Sequence, residues 1–327
     1  GNLGGGGFMI VYLKEEDKTI AIDYREKAPS AATRDLFLDE NGDYDRKKAQ
    51  FSLLSAGVPG SVAGFHHALT NYGTLSWKEV LEPAIRLAEE GFVIPHDLAN
   101  TLASKRYKER LSSNPAAAKV FFKEDMENYS AGEILIQKDL ASTLRELSKN
   151  GPDAFYNGKI AQLIVEEMQK NGGLITLEDL KDYNIAERQP LVGNYKGYKI
   201  VSMPPSSSGG THLIQMLNML EEFPIKEMGF GSADTIHLLA EVMKRAYADR
   251  SKYLGDSDFY KVPSSLTSKK YAKSLNKEIS LGEITPSSQV SPGDPYPYES
   301  PDTTHFSVMD HYGNAVSNTY TLNFSYG

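Results

Sequence analysis

Near the end of the chain, Asp302-Thr303-Thr304-His305-Phe306-Ser307 follows Pro301 and runs into a strand pattern. A threonine at such a junction can serve a specific chemistry. A hydroxyl is a poor nucleophile until a base stands beside it. Scission of the peptide just before Thr303 would free an α-amine on the same residue to act as that base. Such an amine titrates at about 7.7–8.0, which suits work near neutral pH. The scission itself needs the Thr303 hydroxyl to attack the Asp302 carbonyl. An exposed loop can reach that geometry, whereas ladder hydrogen bonds would pin a mid-strand peptide. Pro292, Pro295, Pro297 and Pro301 keep the preceding stretch out of any sheet interior. The plain alternative for this stretch is a surface linker.

The following residues predict which groups meet this threonine. Asp310-His311-Tyr312-Gly313-Asn314 reads as a hairpin with a three-residue loop, a type I turn at His311-Tyr312 closed by Gly313 in the left-handed region. Asp310 then faces Asn314, and stepping outward along both arms brings Thr303 opposite Thr321. Directly opposed residues hold their Cβ atoms about 4.5–5.5 Å apart on one face. Asn323, two positions on, projects to the same face. Two hydroxyls and an amide would then gather at a strand start. The ordinary reading, threonines decorating a strand they favour, remains open on this pattern alone.

The stretch TTHFSVMDHYGNAVSNTYTLN resembles the start of the small subunit of γ-glutamyltranspeptidases (glutathione hydrolases). The likeness extends over nearly the whole chain. GNLGGGGFMIVY and IDYREKAP look like that family's glycine run and arginine segment, and NGGLITLEDLKDY, SMPPSSSGG, FGSADTIHLLAEVMKRAYADRSKYLGD and PYESPDTTH look like its later landmarks in the same order.

The resemblance implies an α+β fold, the αββα sandwich of N-terminal-nucleophile hydrolases, two facing sheets between helical layers, incomplete in this chain. Residues 1–302 would be a large-subunit portion and residues 303–327 the start of a small subunit. Thr303 would be the nucleophile and Asp302-Thr303 the self-cleavage site. Thr321 would orient and polarise the nucleophile, Asn323 would hold the substrate's α-amino group, and Arg25 its α-carboxylate. The donor would be glutathione or another γ-glutamyl compound; the acceptor would be water, an amino acid or a peptide; and the partner would be the protein's own small subunit. No cofactor or metal is expected. By the same resemblance the location is periplasmic or secreted, although no signal segment is evident. A cephalosporin acylase or poly-γ-glutamate-processing enzyme on the same scaffold is the alternative. So is an inactive relative that keeps the fold as a binding unit.

The local chemistry of Arg25 agrees with this role. A guanidinium grips a carboxylate with two parallel hydrogen bonds, and a γ-glutamyl donor offers a free α-carboxylate. The plainer fate of such a residue is a solvated arginine paired with Asp23 or Glu26.

Composition bounds the rest. The chain has 327 residues, 40% hydrophobic, with a formal net charge of −8. That charge argues against a nucleic-acid partner, which needs a basic surface. Cysteine is absent, so thiolate catalysis and disulfides are excluded. No apolar run reaches the roughly 20 residues that span a bilayer. By length the chain suits two domains or one large one. The glycine run Gly4–Gly7 lacks the Lys-Ser/Thr of a phosphate loop and suits tight backbone packing beside a strand. Ser206–Gly210 reads as a helix cap. The seven histidines show no metal spacing; His305 reads as a packed residue, with a role as base the alternative. Asp249, Asp256 and Asp258 read as a solvated loop, with metal binding as a weaker option.

The patterning predicts strands over 8–13 and 19–24, a turn at Asn41-Gly42, and a helix over 60–72. Ser76-Trp77-Lys78-Glu79 predicts a capping box. It opens a helix with Val80, Ile85, Leu87 and Ala88 inward, ended by Gly91. Further helices are expected near 96–111, 138–149, 158–170, 208–222 and 232–253, with a strand over 198–203. Residues 264–301 read as a long loop around one helix near 267–276.

The chain reads as a piece of a longer protein. It opens inside a motif, and the family completes its pocket downstream with an acid for the amino group, a serine pair for the carboxylate and paired glycines for the oxyanion. Losing one oxyanion donor costs roughly 10²–10³ in rate. The isolated 327-residue polypeptide is therefore expected to release no detectable aniline from a γ-glutamyl anilide; measurable turnover would contradict this.

Overall fold

The structure, a computed structural model, describes residues 2–292 and 304–321. Among them the strands are β1 (Gly6–Leu13), β2 (Lys18–Asp23), β3 (Phe92–Val93), β4 (Ile134–Leu135), β5 (Ala186–Arg188), β6 (Leu191–Tyr195), β7 (Tyr198–Ser202), β8 (Thr304–Met309) and β9 (Ala315–Thr321). The chain forms two compact units. One comprises Gly1–Lys27, Pro59–Gly64 and Asn184–Gly327; the other comprises Ala28–Val58 and Phe65–Tyr183.

The first unit is built on a five-stranded antiparallel sheet in the order β5-β2-β1-β9-β8. Its middle strand comes from the start of the sequence and its neighbour β9 from the end. The strands expected over 8–13 and 19–24 are both present, and β1 begins two residues earlier, inside the glycine run. The hairpin forms as its spacing predicts. Asp310 N donates to Asn314 O at 3.0 Å, Gly313 N donates to Asp310 O at 3.2 Å, and Gly313 has φ +89°. The ladder runs from Met309 opposite Ala315 to Thr304 opposite Tyr320. Asn314 also ties this turn to the β1–β2 turn, its Oδ1 accepting from Lys14 N at 3.0 Å. β6 and β7 form a separate hairpin around Lys196-Gly197, both at positive φ, the two-residue loop that matches strand twist.

The sheet core contains polar groups as well as apolar ones. Met9, Val11, Ile20, Ala21 and Ile22 are buried, and so is Tyr24, which directly follows β2. The Tyr24 ring lies where any side chain on Gly64 would be, 2.2 Å from the ideal Cβ position, so the helix Ser61–Tyr72 needs glycine there. The Tyr24 hydroxyl donates to Asn318 Oδ1 of β9 at 2.6 Å. Burial drives this phenol far above its ordinary range, so it stays a neutral donor, although the Asn318 bond acts the other way. Asn318 Nδ2 has no partner among the described residues.

Three helices of the same unit, Gly209–Leu220, Ala233–Tyr253 and Lys269–Asn276, share a core of Met219, Leu220, Leu238, Val242 and Ala272. Beside it lies a buried ion pair, Arg245 Nη1 to Glu241 Oε2 at 2.8 Å. Glu241 Oε1 also accepts from Lys244 Nζ at 2.5 Å and from Thr285 N at 3.1 Å, which ties down the loop after the last helix. Burial alone would raise the Glu241 carboxyl. The bonds from Lys244, Arg245 and Thr285 outweigh it and hold the pKa at about 2.

The second unit is mainly helical. The capping box at Ser76 and Glu79 is present, and Gly91 ends that helix with φ +87°. Ile85 and Ala88 face inward as expected, but Val80 and Leu87 are exposed. The helix Trp77–Glu90 packs on Lys138–Asn150, and Trp77 Nε1 donates to Leu147 O at 2.9 Å. The helix expected near 96–111 is two helices, His96–Ala103 and Lys105–Ser112, because Ser104 adopts an extended conformation between them. No helix of the described residues is long and apolar enough to cross a membrane.

Two outcomes test this packing. Glu241→Gln takes from Arg245 its buried counter-charge, leaving the exposed Glu278 carboxylate at 3.9 Å, and is expected to cost about 3 kcal/mol. Because the folded-state pKa of Glu241 is depressed, its contribution is complete above about pH 5 and is lost as pH falls toward 2. Denaturation between pH 5 and 2 should therefore show a shallower loss of stability in the variant; equal slopes would contradict the account. Tyr24→Phe strips the Asn318 side chain of its one partner among the described residues and is expected to cost about 1–3 kcal/mol, whereas adding Asn318→Leu should recover part of that loss. Unchanged melting of Tyr24→Phe would contradict it.

Candidate active site

Three backbone segments converge at one end of the sheet of the first unit. Gly6 pairs with Thr321 and Gly7 with Tyr320 on the β9 side. On the other side Gly7 exchanges hydrogen bonds with Tyr24, N to O at 3.2 Å and O from N at 2.9 Å. Beyond Tyr24 the chain crosses over Gly6. An ideal Cβ on Gly6 would lie 2.6 Å from Tyr24 O and 2.6 Å from Glu26 N; on Gly7 it would lie 2.2 Å from Thr319 O. These are backbone atoms that no rotamer change can move aside. The glycines therefore permit the segment carrying Arg25 and the strand ending at Thr321 to close on one another. The oxygen of Gly5 accepts from Gly60 N and Ser61 N at 2.8 and 3.0 Å, which anchors the same run to a helix start.

Of the residues singled out from the sequence, Arg25 is described in full and Thr321 as a backbone position. Asp302, Thr303 and Asn323 lie outside the described residues, and so does the side chain of His305. Arg25 is exposed, with its Cζ 5.8 Å from the centre of the Phe8 ring. The plain expectation that it pairs with Asp23 changes in detail. The Asp23 carboxylate accepts the Arg25 backbone N at 3.1 Å and forms its ion pair with Arg188, Nε to Oδ2 at 2.7 Å. Glu26 is half-buried. Burial raises its carboxyl, while its own backbone bond, the Arg25 charge and the Gly6 amide act the other way.

One expectation needs correction. Asp249, Asp256 and Asp258 are not one solvated cluster. Asp249 is buried, its Oδ2 accepting from Gln215 Nε2 at 2.5 Å and Tyr271 OH at 2.8 Å. Asp258 pairs with Arg188, and Asp256 caps its own turn by accepting from Asp258 N. Among the described residues no group of His, Asp and Glu side chains is arranged to hold a metal ion. The cap expected from Ser206–Gly210 comes from Ser207, whose Oγ accepts from Gly209 N at 3.3 Å, while the Ser208 hydroxyl accepts from Arg250 Nε at 3.1 Å.

The tight packing expected of the glycine run is present at Gly6 and Gly7, whereas sequence reasoning did not pick out Tyr24, Arg188 or Asn318. A polar residue in mid-strand, as at Asn318, and a tyrosine pointing opposite to Arg25 were usable signals. Arg188 lies 165 residues from Asp23, and no spacing rule links them.

Known proteins give the same reading. The model of the gamma-glutamyltranspeptidase family matches residues 1–327. The chain is 52% identical over 328 residues to the glutathione hydrolase proenzyme of Escherichia coli K12, a match covering 100% of this chain and 56% of that protein. The chain thus spans little more than half the length of this relative. It superposes on the crystal structure of Helicobacter pylori gamma-glutamyltranspeptidase with a TM-score of 0.86 and 47% identity, covering 90% of this chain and 83% of that one. A cephalosporin acylase from Bacillus halodurans shares the fold at a TM-score of 0.82 and 26% identity, over 98% of this chain and 57% of that one. The fold class is that of the N-terminal-nucleophile hydrolases. The glycine run paired with the strand of Thr321, the arginine segment laid across it, and the match along all 327 residues lead to one statement: this chain belongs to the γ-glutamyltranspeptidase family.

Proposed function

We propose that the protein is a γ-glutamyltransferase and glutathione hydrolase that matures by cutting itself between Asp302 and Thr303. Residues 1–302 then belong to the large subunit, and Thr303 begins the small one. In maturation the Thr303 hydroxyl attacks the Asp302 carbonyl and expels the amide nitrogen, and water hydrolyses the resulting ester. The products are a carboxylate on Asp302 and a free amine on Thr303. In turnover that amine takes the hydroxyl proton as Thr303 Oγ attacks the γ-amide carbonyl of the donor. The leaving amine departs protonated and a γ-glutamyl ester remains. Water or the amine of an amino acid or peptide then takes the acyl group, in the two-step pattern of ping-pong kinetics. Thr321 orients the nucleophile, Asn323 holds the donor's α-amino group and Arg25 its α-carboxylate. A periplasmic or secreted location follows the same reading.

The observation that carries the proposal is the sheet register. Thr304 lies opposite Tyr320, and Thr321 lies beside Gly6, over which the Arg25 segment crosses. On this reading Thr303 faces Thr321, as the turn spacing in the sequence predicts. The acylase likeness favours a second reading, a related amidohydrolase on the same scaffold whose donor is not a γ-glutamyl compound.

Intact-mass analysis of the full-length protein is expected to give two pieces, with the second beginning at Thr303, and one uncut piece for Thr303→Ala. Cutting that survives the substitution would overturn the maturation step. Arg25→Ala in the matured enzyme should raise KM for a γ-glutamyl anilide by about 10- to 100-fold, the worth of a charged hydrogen-bond pair. An unchanged KM would favour the acylase reading.

A further inference from the structure

Asp23, the last residue of β2, is 7% exposed, and its two oxygens have different tasks. Oδ1 accepts the backbone N of Arg25 at 3.1 Å. Oδ2 accepts Arg188 Nε at 2.7 Å and the Ser206 hydroxyl at 3.4 Å. Arg188 ends β5, which pairs with β2 over only three residues. Its remaining two nitrogens grip Asp258 bidentately, Nη1 to Oδ1 at 2.8 Å and Nη2 to Oδ2 at 2.9 Å. The loop of Asp258 is fixed in turn, since Ser257 Oγ donates to Pro205 O at 2.9 Å. One planar guanidinium thus joins two carboxylates, one almost buried and one at the surface.

We propose that Arg188 is a positioning residue for donor binding: through Asp23 it fixes the backbone of Arg25, and Asp258 holds the Arg188 plane in register. This rests on the reading of Arg25 as the carboxylate anchor. The physical reason is the position of Asp23. A nearly buried carboxylate keeps its orientation only while its charge is balanced. Without Arg188 the carboxylate turns toward water, and that turn releases the Arg25 amide. Arg25 then loses the backbone direction that aims its side chain. A small displacement of a binding group can cost as much as about 10²-fold. Lysine cannot replace Arg188, because an ammonium has no rigid fork to span Asp23 and Asp258 together.

The test uses the full-length, matured enzyme with a γ-glutamyl anilide as donor. Arg188→Lys keeps the charge and removes the fork. Its KM is expected to rise about tenfold, with kcat changing much less than KM. In an Arg25→Ala background the same substitution should add nothing, since residues acting through one group are not additive. Intact mass and melting temperature report whether each variant folds and matures. If Arg188→Lys fails to mature, Asp258→Asn carries the test, because it loosens the same guanidinium at an exposed carboxylate. The expected result is a smaller KM rise that again vanishes with Arg25→Ala. A raised KM for Arg25→Ala beside an unchanged KM for both the Arg188 and Asp258 variants would overturn the positioning role. So would effects that multiply in the double variants. An unchanged KM for Arg25→Ala itself would instead overturn the anchor reading, and this proposal with it.

Discussion

The site depends on a close approach of backbones that excludes side chains. At Gly6 and Gly7 the strand β1 lies between β9 and the chain leaving β2, so tightly that a methyl group would overlap main-chain atoms on either side. Overlap with backbone cannot be relieved by a rotamer change, and overpacking of this kind costs about 1–3 kcal/mol where it is accommodated at all. The contact brings together residues about 300 positions apart in sequence, Gly6 and Thr321. The free energy of closing so long a loop must come from the apolar strands that flank it, Met9 and Val11 on one and Ile20 to Ile22 on the next.

Polar groups beneath and beside this contact define its geometry. Tyr24 and Arg25 are neighbours with opposite tasks: the first reaches down to Asn318 on β9, and the second emerges at the surface. Asp23, one step earlier, holds the Arg25 amide and is held by Arg188. Such buried hydrogen bonds contribute only about 1 kcal/mol each net, but leaving one partner unsatisfied costs more. They select one arrangement among those the apolar core would allow. The Glu241–Arg245 pair does the same for the helical layer, where apolar burial alone does not fix how the loop at Thr285 closes.

Much of this was legible in the sequence where local rules apply. Asp310 to Asn314 contain the turn residues of a three-residue loop, and the β8–β9 register follows from them without tertiary information. Ser76 and Glu79 announce their helix, and Gly91 its end. The rest required contacts that sequence spacing does not encode. Ser104 breaks a helix that the apolar pattern would continue. Val80 and Leu87 are exposed although their types suggest burial. Asp249 and Asp258 look alike in a polar stretch, yet one is buried against Gln215 and Tyr271 and the other pairs with Arg188. Arg25 was recognisable through a resemblance, while the bond from its backbone to Asp23 and the hold of Arg188 on that carboxylate became apparent only in three dimensions.

The central claim is that one threonine supplies both nucleophile and base once the chain is cut in front of it. The most direct measurement is peptide mapping by mass spectrometry of the full-length protein after reaction with a slow γ-glutamyl electrophile. The account predicts a single adduct on Thr303 in a peptide that starts at that residue. An adduct on any other side chain, or on a Thr303 still joined to Asp302, would contradict it.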